Sequence, residues 1–291
     1  MSRHYSKQYK ILLAPSVIML FLWMIVPLVM TIYFSLIRYN LLYPEQNEFT
    51  GWENYEFFLT DIAFWPAVQN TLVLTGSVLF LTVVLGLLLA AMMIRAFPGR
   101  GIVRVLMISP FFIMPSVNAL LWKNMMFHPV YGIFAWISQQ IGLQPIDWLA
   151  DYPMLSVVII VSWNWLPFAL LIFMTSLLSF DREQREAAMI DGAGALNMFR
   201  YMYIPHLSQP IAVVIMIQTI FHLSVFAEIY VTTGGGPGTD TTNLAFLIFA
   251  QALLQFDVGI ASAGGLIVVI LANIVAFFLI RIIGKNLMKE N

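Results

Sequence analysis

The feature that most limits the fold of this chain is a series of long windows without a charged residue. Six of them approach or exceed the roughly 20 helical residues needed to cross a bilayer. We place the spans over residues 11–36, 68–93, 103–125, 154–179, 210–232 and 259–282. Only 10% of the residues are charged, against about 25% in soluble domains. The sequence therefore predicts an all-α integral membrane protein, with one transmembrane domain over residues 1–291.

One further charge-free window, Asn124–Ile146, contains proline, glycine and several glutamines. Unpaired polar groups are costly in hydrocarbon, so we predict an interfacial or re-entrant segment there.

The basic residues test this count of spans. Among the 14 Lys and Arg residues, all except Arg38 and Lys123 fall on one side when six spans are drawn. By the positive-inside rule, that side and both termini are predicted to be cytoplasmic. A seventh span over 124–146 would weaken the bias. The basic side comprises Arg3, Lys7, Lys10, Arg95, Arg100, Arg104, Arg182, Arg185, Arg200, Arg281, Lys285 and Lys289.

Several classes of chemistry are excluded by what the sequence lacks. The chain has no cysteine, and its net charge of −1 gives no reason to expect nucleic-acid binding. It has no phosphate-binding G-x-x-x-x-G-K-[ST] motif, and the run Gly234–Gly238 is followed by Thr239 instead of Lys. We predict that the chain is not an enzyme and binds no cofactor or metal itself.

The segment between the fourth and fifth spans, residues 181–209, carries charges of its own and is predicted to be cytoplasmic. Good helix formers predict a short helix over Asp181–Ala193, broken at Gly192 and Gly194. Asn197 is predicted to cap a second helix, Met198–Tyr203, which Pro205 ends before Pro210 opens the next span.

One face of the first helix is predicted to hold Glu186, Ile190 and Ala193, by their i, i+4, i+7 spacing. Such a face suits a groove on a partner protein, although a charged segment of this kind is also typical of an ordinary solvated loop.

The order of residues in this segment resembles the EAA motif of ABC importer permeases. The matching positions are Glu186, Ala187, Ala188, Asp191, Gly192, Ala193, Phe199, Ile204, Pro205 and Pro210. Ile204 stands where the family usually has leucine. The resemblance implies a type I importer permease fold, in which this loop sits in a groove of a separate ATP-hydrolysing subunit. Glu186 would then make the polar contacts, and Gly192 would set the turn.

A second pattern lies outside, between the last two spans, and resembles the carbohydrate class of these permeases. Its residues are Thr232, Gly235, Gly236, Pro237 and Thr241, and the pairs or triplets Asn54-Tyr55 and Gln69-Asn70-Thr71 add to it. Glycine–proline runs are also typical of flexible turns. The resemblance implies that Gly235, Gly236 and Pro237 face a solute-binding protein.

The resemblance also implies the partners of this chain. These are a second permease subunit, two ATP-binding subunits that hold ATP and Mg²⁺, and a periplasmic or lipid-anchored solute-binding protein. Transport would follow alternating access in a bacterial inner membrane.

Polar and aromatic residues inside the spans are candidates for contact with the solute, since intramembrane polar groups are costly. They are Asn118, Trp122, Asn164, Trp165, His222, Phe226, Glu228 and Tyr230. Aromatic rings and amides of this kind suit a sugar. The same groups could equally hydrogen-bond neighbouring helices.

A neutral sugar, glycoside or sugar alcohol is favoured because no arginine lies in the charge-free part of a span, Arg104 and Arg281 standing at the ends of theirs. The main alternative is an ion-coupled secondary transporter, although Glu228 is the sole acidic residue within the predicted spans.

Overall fold

The computed structural model describes residues 2–94 and 97–287. Arg95 and Lys289, which the charge pattern assigns to the basic side, lie outside these residues.

The described chain is predominantly helical, which confirms the all-α prediction. Its first half contains α1 (Ser2–Ser35), β1 (Ile37–Arg38), β2 (Glu48–Phe49), α2 (Glu53–Thr60), α3 (Phe64–Ile94), α4 (Arg100–Ile108), α5 (Pro115–Leu121), α6 (Ile133–Gln140) and α7 (Trp148–Asp151). Its second half contains α8 (Pro153–Leu178), α9 (Arg182–Ile190), α10 (Ala195–Met198), α11 (Ile204–His206), α12 (Ser208–His222), α13 (Ala227–Thr232), α14 (Leu244–Phe249) and α15 (Val258–Leu287).

Short stretches of other helix types extend four of these helices. A 3₁₀ turn, Ser109–Phe112, follows α4, and π-helical turns follow α5, α10 and α14 over Trp122–Met126, Phe199–Tyr203 and Ala250–Leu254.

Four helices of the described chain are long and apolar enough to cross a membrane. They are Leu12–Ser35, Phe64–Ile94, Pro153–Leu178 and Val258–Phe278. Two bent helix pairs bring the number of candidate spans to as many as six. Within 124–146 the longest helix is α6, which is too short to span a bilayer.

The predicted span over 103–125 is broken in the structure. Arg100–Phe112 and Pro115–Met126 meet at an angle of 109°. Met114 precedes Pro115 and has extended backbone angles, φ −59° and ψ 140°. A residue before proline is disfavoured in the helical region, which explains a break at this position.

The predicted span over 210–232 also differs from a single helix. The helix α12 begins at Ser208 and ends at His222, and α13 resumes at Ala227. The side-chain amide of Asn243 donates to the carbonyl oxygen of Val225 at 2.5 Å. This bond satisfies a backbone group that the break leaves without a helical partner.

The chain divides into two compact units, and a single transmembrane domain over residues 1–291 stays a prediction. The first unit contains residues 1–64 and 248–270, of which residue 1 is not described. Asn54 of α2 ties this unit together, because its amide donates to the carbonyl oxygens of Ser35 at 2.9 Å and Ile37 at 2.8 Å. A Cβ atom at Gly259 would lie 2.7 Å from the same Ile37 oxygen, so α15 needs glycine there.

The second unit contains residues 65–247 and 271–291, described up to 287. Its apolar core joins α3, α8 and α12. The buried members are Ala90, Met93, Ala169, Leu170, Phe173, Met174, Leu177, Leu207 and Val214.

Candidate functional site

The segment from Asp181 to His206, which we call the coupling segment, begins with a capped helix. The Asp181 side chain accepts a hydrogen bond from the backbone N–H of Glu183 at 2.9 Å, and α9 follows over Arg182–Ile190. Gly192 has φ +81°, the left-handed region that glycine adopts without strain. The predicted first helix and its break at Gly192 are confirmed.

The second half of the coupling segment differs from the prediction. Asn197 does not cap a helix, because it lies inside α10, and Gly194 occupies the N-cap position. Helical structure runs without a gap from Ala195 through Tyr203 to His206, so Pro205 lies one residue before its end, close to the predicted stop. Pro210 lies in the first turn of α12, where the N–H that proline lacks has no helical partner.

The surface of the coupling segment is exposed and partly apolar. Glu186, Ala187 and Asp191 are exposed, while Ala188 and Ala193 are half-buried. Ile190 is 86% exposed and Leu196 is 77% exposed. Exposed aliphatic residues of this size beside charged ones are typical of a surface that binds another protein.

The loop between Thr233 and Asn243 is an ordered structure, not the flexible turn that its glycines also allow. The Gly235 carbonyl accepts hydrogen bonds from the Thr241 backbone N–H at 3.1 Å and the Thr242 hydroxyl at 3.0 Å. The hydroxyl groups of Thr233 and Thr241 lie 2.6 Å apart. Gly236 is half-buried, and Pro237 is exposed.

The start of α3 holds this loop in place. Asn70 donates from its side chain to the carbonyl oxygens of Thr239 at 2.8 Å and Thr242 at 2.9 Å. The neighbouring Thr71 hydroxyl accepts from the backbone N–H of Leu244 at 3.0 Å. The Asn70-Thr71 pair therefore shapes the loop that carries Gly235, Gly236 and Pro237.

The polar residues predicted to contact the solute are all buried in this structure. Asn118 and His222 are fully buried, and Asn164 and Glu228 are 5% and 3% exposed. Asn164 donates to the carbonyl oxygens of Pro110 at 2.7 Å and Ile113 at 3.3 Å, at the break between α4 and α5. Its two N–H groups are therefore engaged by the backbone.

Asn118 and His222 keep unused hydrogen-bonding atoms. The Asn118 amide donates to the Ile160 carbonyl at 3.1 Å, but its side-chain oxygen has no partner among the described residues. The two ring nitrogens of His222 also have no hydrogen-bond partner among the described residues. The Trp165 ring packs edge-on against His222, with centroids 5.3 Å apart.

The aromatic candidates are more accessible than the polar ones. Trp122 and Trp165 are half-buried, and Tyr230 is 50% exposed. The ring of Phe226 stacks with that of Tyr230 at 6.3 Å. Trp122 belongs to an aromatic cluster with Phe127, at 5.1 Å, and Trp163, at 5.8 Å. Contact of any of these eight residues with a solute stays a prediction.

Sequence analysis missed two polar residues that organise this interior. Gln218 lies in a charge-free window, where its amide could have been flagged in the same way as Asn164. Lys123 was not predicted to have a structural role, yet its amine donates to the carbonyl oxygens of Val231 at 3.0 Å and Thr232 at 3.1 Å. It therefore neutralises the carbonyl end of α13.

Residues 82–289 match the family described as the binding-protein-dependent transport system inner membrane component. The chain belongs to this family. It is thus a multi-pass inner-membrane transport protein, as its apolar helices and the coupling segment predict.

Relatives and solved structures of similar proteins agree with this assignment. The trehalose/maltose transport system permease protein MalF of Thermococcus litoralis is 32% identical over 255 residues, which is 87% of this chain and 85% of the relative. A bacterial ABC transporter involved in the import of the acidic polysaccharide alginate has a similar fold. Its TM-score is 0.81 at 22% identity, and the match covers 97% of this chain and 96% of the other.

A second structure shows the bacterial alginate ABC transporter in complex with an alginate pentasaccharide-bound periplasmic protein. It matches with a TM-score of 0.78 at 22% identity and covers 95% of this chain and 93% of the other.

Proposed function

We propose that this chain is a permease subunit of a sugar importer and forms half of the translocation pathway. A separate ATPase subunit would drive it through the coupling segment. The family assignment and the sugar-transporting relative support the transport role. The sequence has no phosphate-binding motif, which is consistent with the proposal that another polypeptide hydrolyses ATP.

The observation that carries the coupling role is the exposed surface of the segment between α8 and α12. Met189 is 59% exposed and Ile190 is 86% exposed, directly beside Glu186 and Asp191. Burying these aliphatic side chains in a groove would contribute about 1.5–3 kcal/mol for each fully buried residue. The glutamate would supply specificity at the edge of that contact.

A neutral solute is favoured because both basic residues on the predicted external side, Lys123 and Arg38, already have partners. The Lys123 amine is occupied by the carbonyl groups at the end of α13. Arg38 forms an ion pair with Glu53 at 3.2 Å. Neither cation is free in this structure to bind a carboxylate or phosphate group of a solute. A neutral sugar, glycoside or sugar alcohol needs no such charge.

The proposed cycle uses a solute-binding protein, which the family name implies, and a second permease with two ATPase subunits, which the resemblance to ABC importer permeases implies. A loaded solute-binding protein would dock on the side that carries the ordered loop with Gly235, Gly236 and Pro237. ATP binding would draw two ATPase subunits together and displace the coupling segments of two permeases. The spans would then open outward to receive the solute, and hydrolysis would reset them.

The test is ATP-dependent uptake in proteoliposomes that contain both permeases, the ATPase and the binding protein. Glu186→Lys should abolish uptake and release the ATPase during purification, because it reverses the charge at the proposed contact. Gln184→Lys also introduces a lysine, on another side of α9 and with a charge change of one unit instead of two, and should leave uptake near that of the unmodified protein.

Retention of uptake and ATPase binding by Glu186→Lys would refute the coupling role. Uptake driven by an ion gradient without the ATPase would instead favour a secondary transporter.

A further inference from the structure

The residues directly before the coupling segment are joined to the last residues of that segment. The helix α8 ends at Leu178 and α12 begins at Ser208. Nε2 of His206 lies 3.0 Å from the carbonyl oxygen of Ser176, in the last turn of α8. Because a carbonyl oxygen only accepts, His206 donates this bond and carries a proton on Nε2.

An aromatic contact reinforces this hydrogen bond. The Phe180 ring packs edge-on against two rings from the far end of the segment. Its centroid lies 5.6 Å from that of Tyr203 and 5.1 Å from that of His206, with an interplanar angle of 82° in each case. Edge-to-face rings at these distances attract each other. We call Ser176, Phe180, Tyr203 and His206 the stem cluster.

The stem cluster continues into the apolar core of the second unit. Leu207, the next residue after His206, is fully buried in the core cluster together with Met174 and Leu177 of α8. Tyr203 also packs against that cluster. Close-packed protein interiors have low compressibility and transmit strain.

Most side chains of the coupling segment beyond the stem cluster are exposed, with Met198 a buried exception at 6%. A segment of this length whose two ends made no contact would deform when a partner displaced it. Because His206 at the end of the segment is hydrogen-bonded to Ser176 of α8, the same displacement reaches α8 and α12 together.

We propose that Phe180 and His206 are positioning residues that convert displacement of the coupling segment into a joint movement of α8 and α12. This inference rests on the proposed function, since it takes the segment as the contact with an ATPase. It adds a role for residues outside the EAA-like motif. Phe180 and His206 would not touch ATP or solute. They would determine how much of the ATPase movement reaches the spans.

The experiment uses the complete transporter in proteoliposomes and measures solute molecules imported per ATP hydrolysed. Phe180→Ala and His206→Ala should each lower this ratio at least fivefold. The ATPase that co-purifies with the permease should be unchanged, because the exposed surface around Glu186 is untouched. Phe180→Tyr keeps an aromatic ring and His206→Gln keeps an N–H donor, so both should retain most of the ratio.

The absence of cysteine from the chain allows a second measurement. A Phe180→Cys, His206→Cys double variant should lose coupling when reduced and regain it when a short bis-thiol reagent links the two positions. The other subunits should be made cysteine-free for this assay.

Three outcomes would overturn the inference while leaving the proposed function intact. These are an unchanged ratio in both alanine variants, loss of ATPase co-purification in either of them, or no recovery on cross-linking. Failure of the unmodified transporter to show ATP-dependent uptake would instead overturn the proposed function.

Discussion

The hydroxyl group of Thr82 on α3 donates a 2.6 Å hydrogen bond to the side-chain oxygen of Gln218 on α12. Both residues are fully buried. The amide of the same glutamine donates to the carbonyl oxygen of Trp165 on α8 at 3.2 Å. One side chain therefore links three helices, two of which are joined directly by the coupling segment.

Replacing Gln218 by leucine should destabilise the permease, since it leaves the Thr82 hydroxyl and the Trp165 carbonyl each without this buried partner. The expected loss is about 1 kcal/mol. A double-mutant cycle with Thr82→Val should show a coupling energy of about 0.6–1.7 kcal/mol. Denaturation in detergent micelles, followed by tryptophan fluorescence, measures both quantities. Additive effects of the two substitutions would show that the bond contributes nothing to stability.

Asn164→Leu distinguishes a structural role from a solute-binding role for this asparagine. In the structure the Asn164 amide donates hydrogen bonds to the carbonyl oxygens of Pro110 and Ile113. We therefore expect the leucine variant to have a shorter half-life in detergent. The KM for uptake by the fraction that stays assembled should change less than twofold.

A large rise in KM with unchanged half-life would show that Asn164 contacts the solute, as the sequence analysis predicted. Asn164→Asp, which keeps the shape but cannot donate when ionised, should behave like the leucine variant in the stability assay.

The architecture of this chain follows closely from its sequence because membrane burial leaves a strong signal. Windows without charge mark the long helices α1, α3, α8 and α15, since a charged residue in lipid is expensive. The turn at Gly192 was also predictable, because glycine followed a run of good helix formers.

The breaks in the third and fifth predicted spans were not predictable by the same means. The segment over 103–125 carries charges only near its ends, at Arg104 and Lys123. Pro115 disfavours helix at Met114, but the break also depends on Asn164, which lies far away in sequence and supplies donors to the freed carbonyl groups. Likewise, the break after His222 depends on Asn243. Contacts between distant residues leave no periodic pattern in either segment.

The same limit applies to the candidate site. The EAA-like order of residues was enough to single out Glu186, because that order is specific and lies within one short segment. It could not show that Asn118 and His222 are buried, or that Lys123 is committed to the end of α13. These facts depend on how the helices pack together.

Gly235→Ala should disrupt the ordered loop. Gly235 has φ +89°, and a Cβ atom there would lie 2.5 Å from the Phe246 ring and 2.7 Å from the Thr242 hydroxyl oxygen. Limited proteolysis of the assembled transporter should cut the variant within residues 233–243 several times faster. If the loop receives the binding protein, stimulation of the ATPase by that protein should also fall.

Gly238→Ala is the matched control for this substitution. Gly238 also has a positive φ, +59°, but nothing lies within 4 Å of a Cβ atom at that position. Gly238→Ala should introduce backbone strain only, and should increase the rate of proteolysis less than Gly235→Ala does. Equal effects of the two alanines would show that strain, not the close approach to Phe246, determines the result.

Lys123→Met tests whether this lysine orders α13 or attracts an anionic solute. The methionine removes two charge-assisted hydrogen bonds to the carbonyl groups of Val231 and Thr232. Bonds of this type contribute about 1.5–3 kcal/mol each, and we expect a clear loss of stability in the denaturation assay. Lys123→Arg keeps the charge and the donors at the carbonyl end of α13 and should lose less stability.

Because the Lys123 amine is already engaged, the relative uptake of neutral and acidic sugars should be the same in the methionine variant as in the unmodified transporter. A selective loss of acidic-sugar uptake in Lys123→Met, with stability unchanged, would contradict both the anchoring role and the neutral-solute proposal.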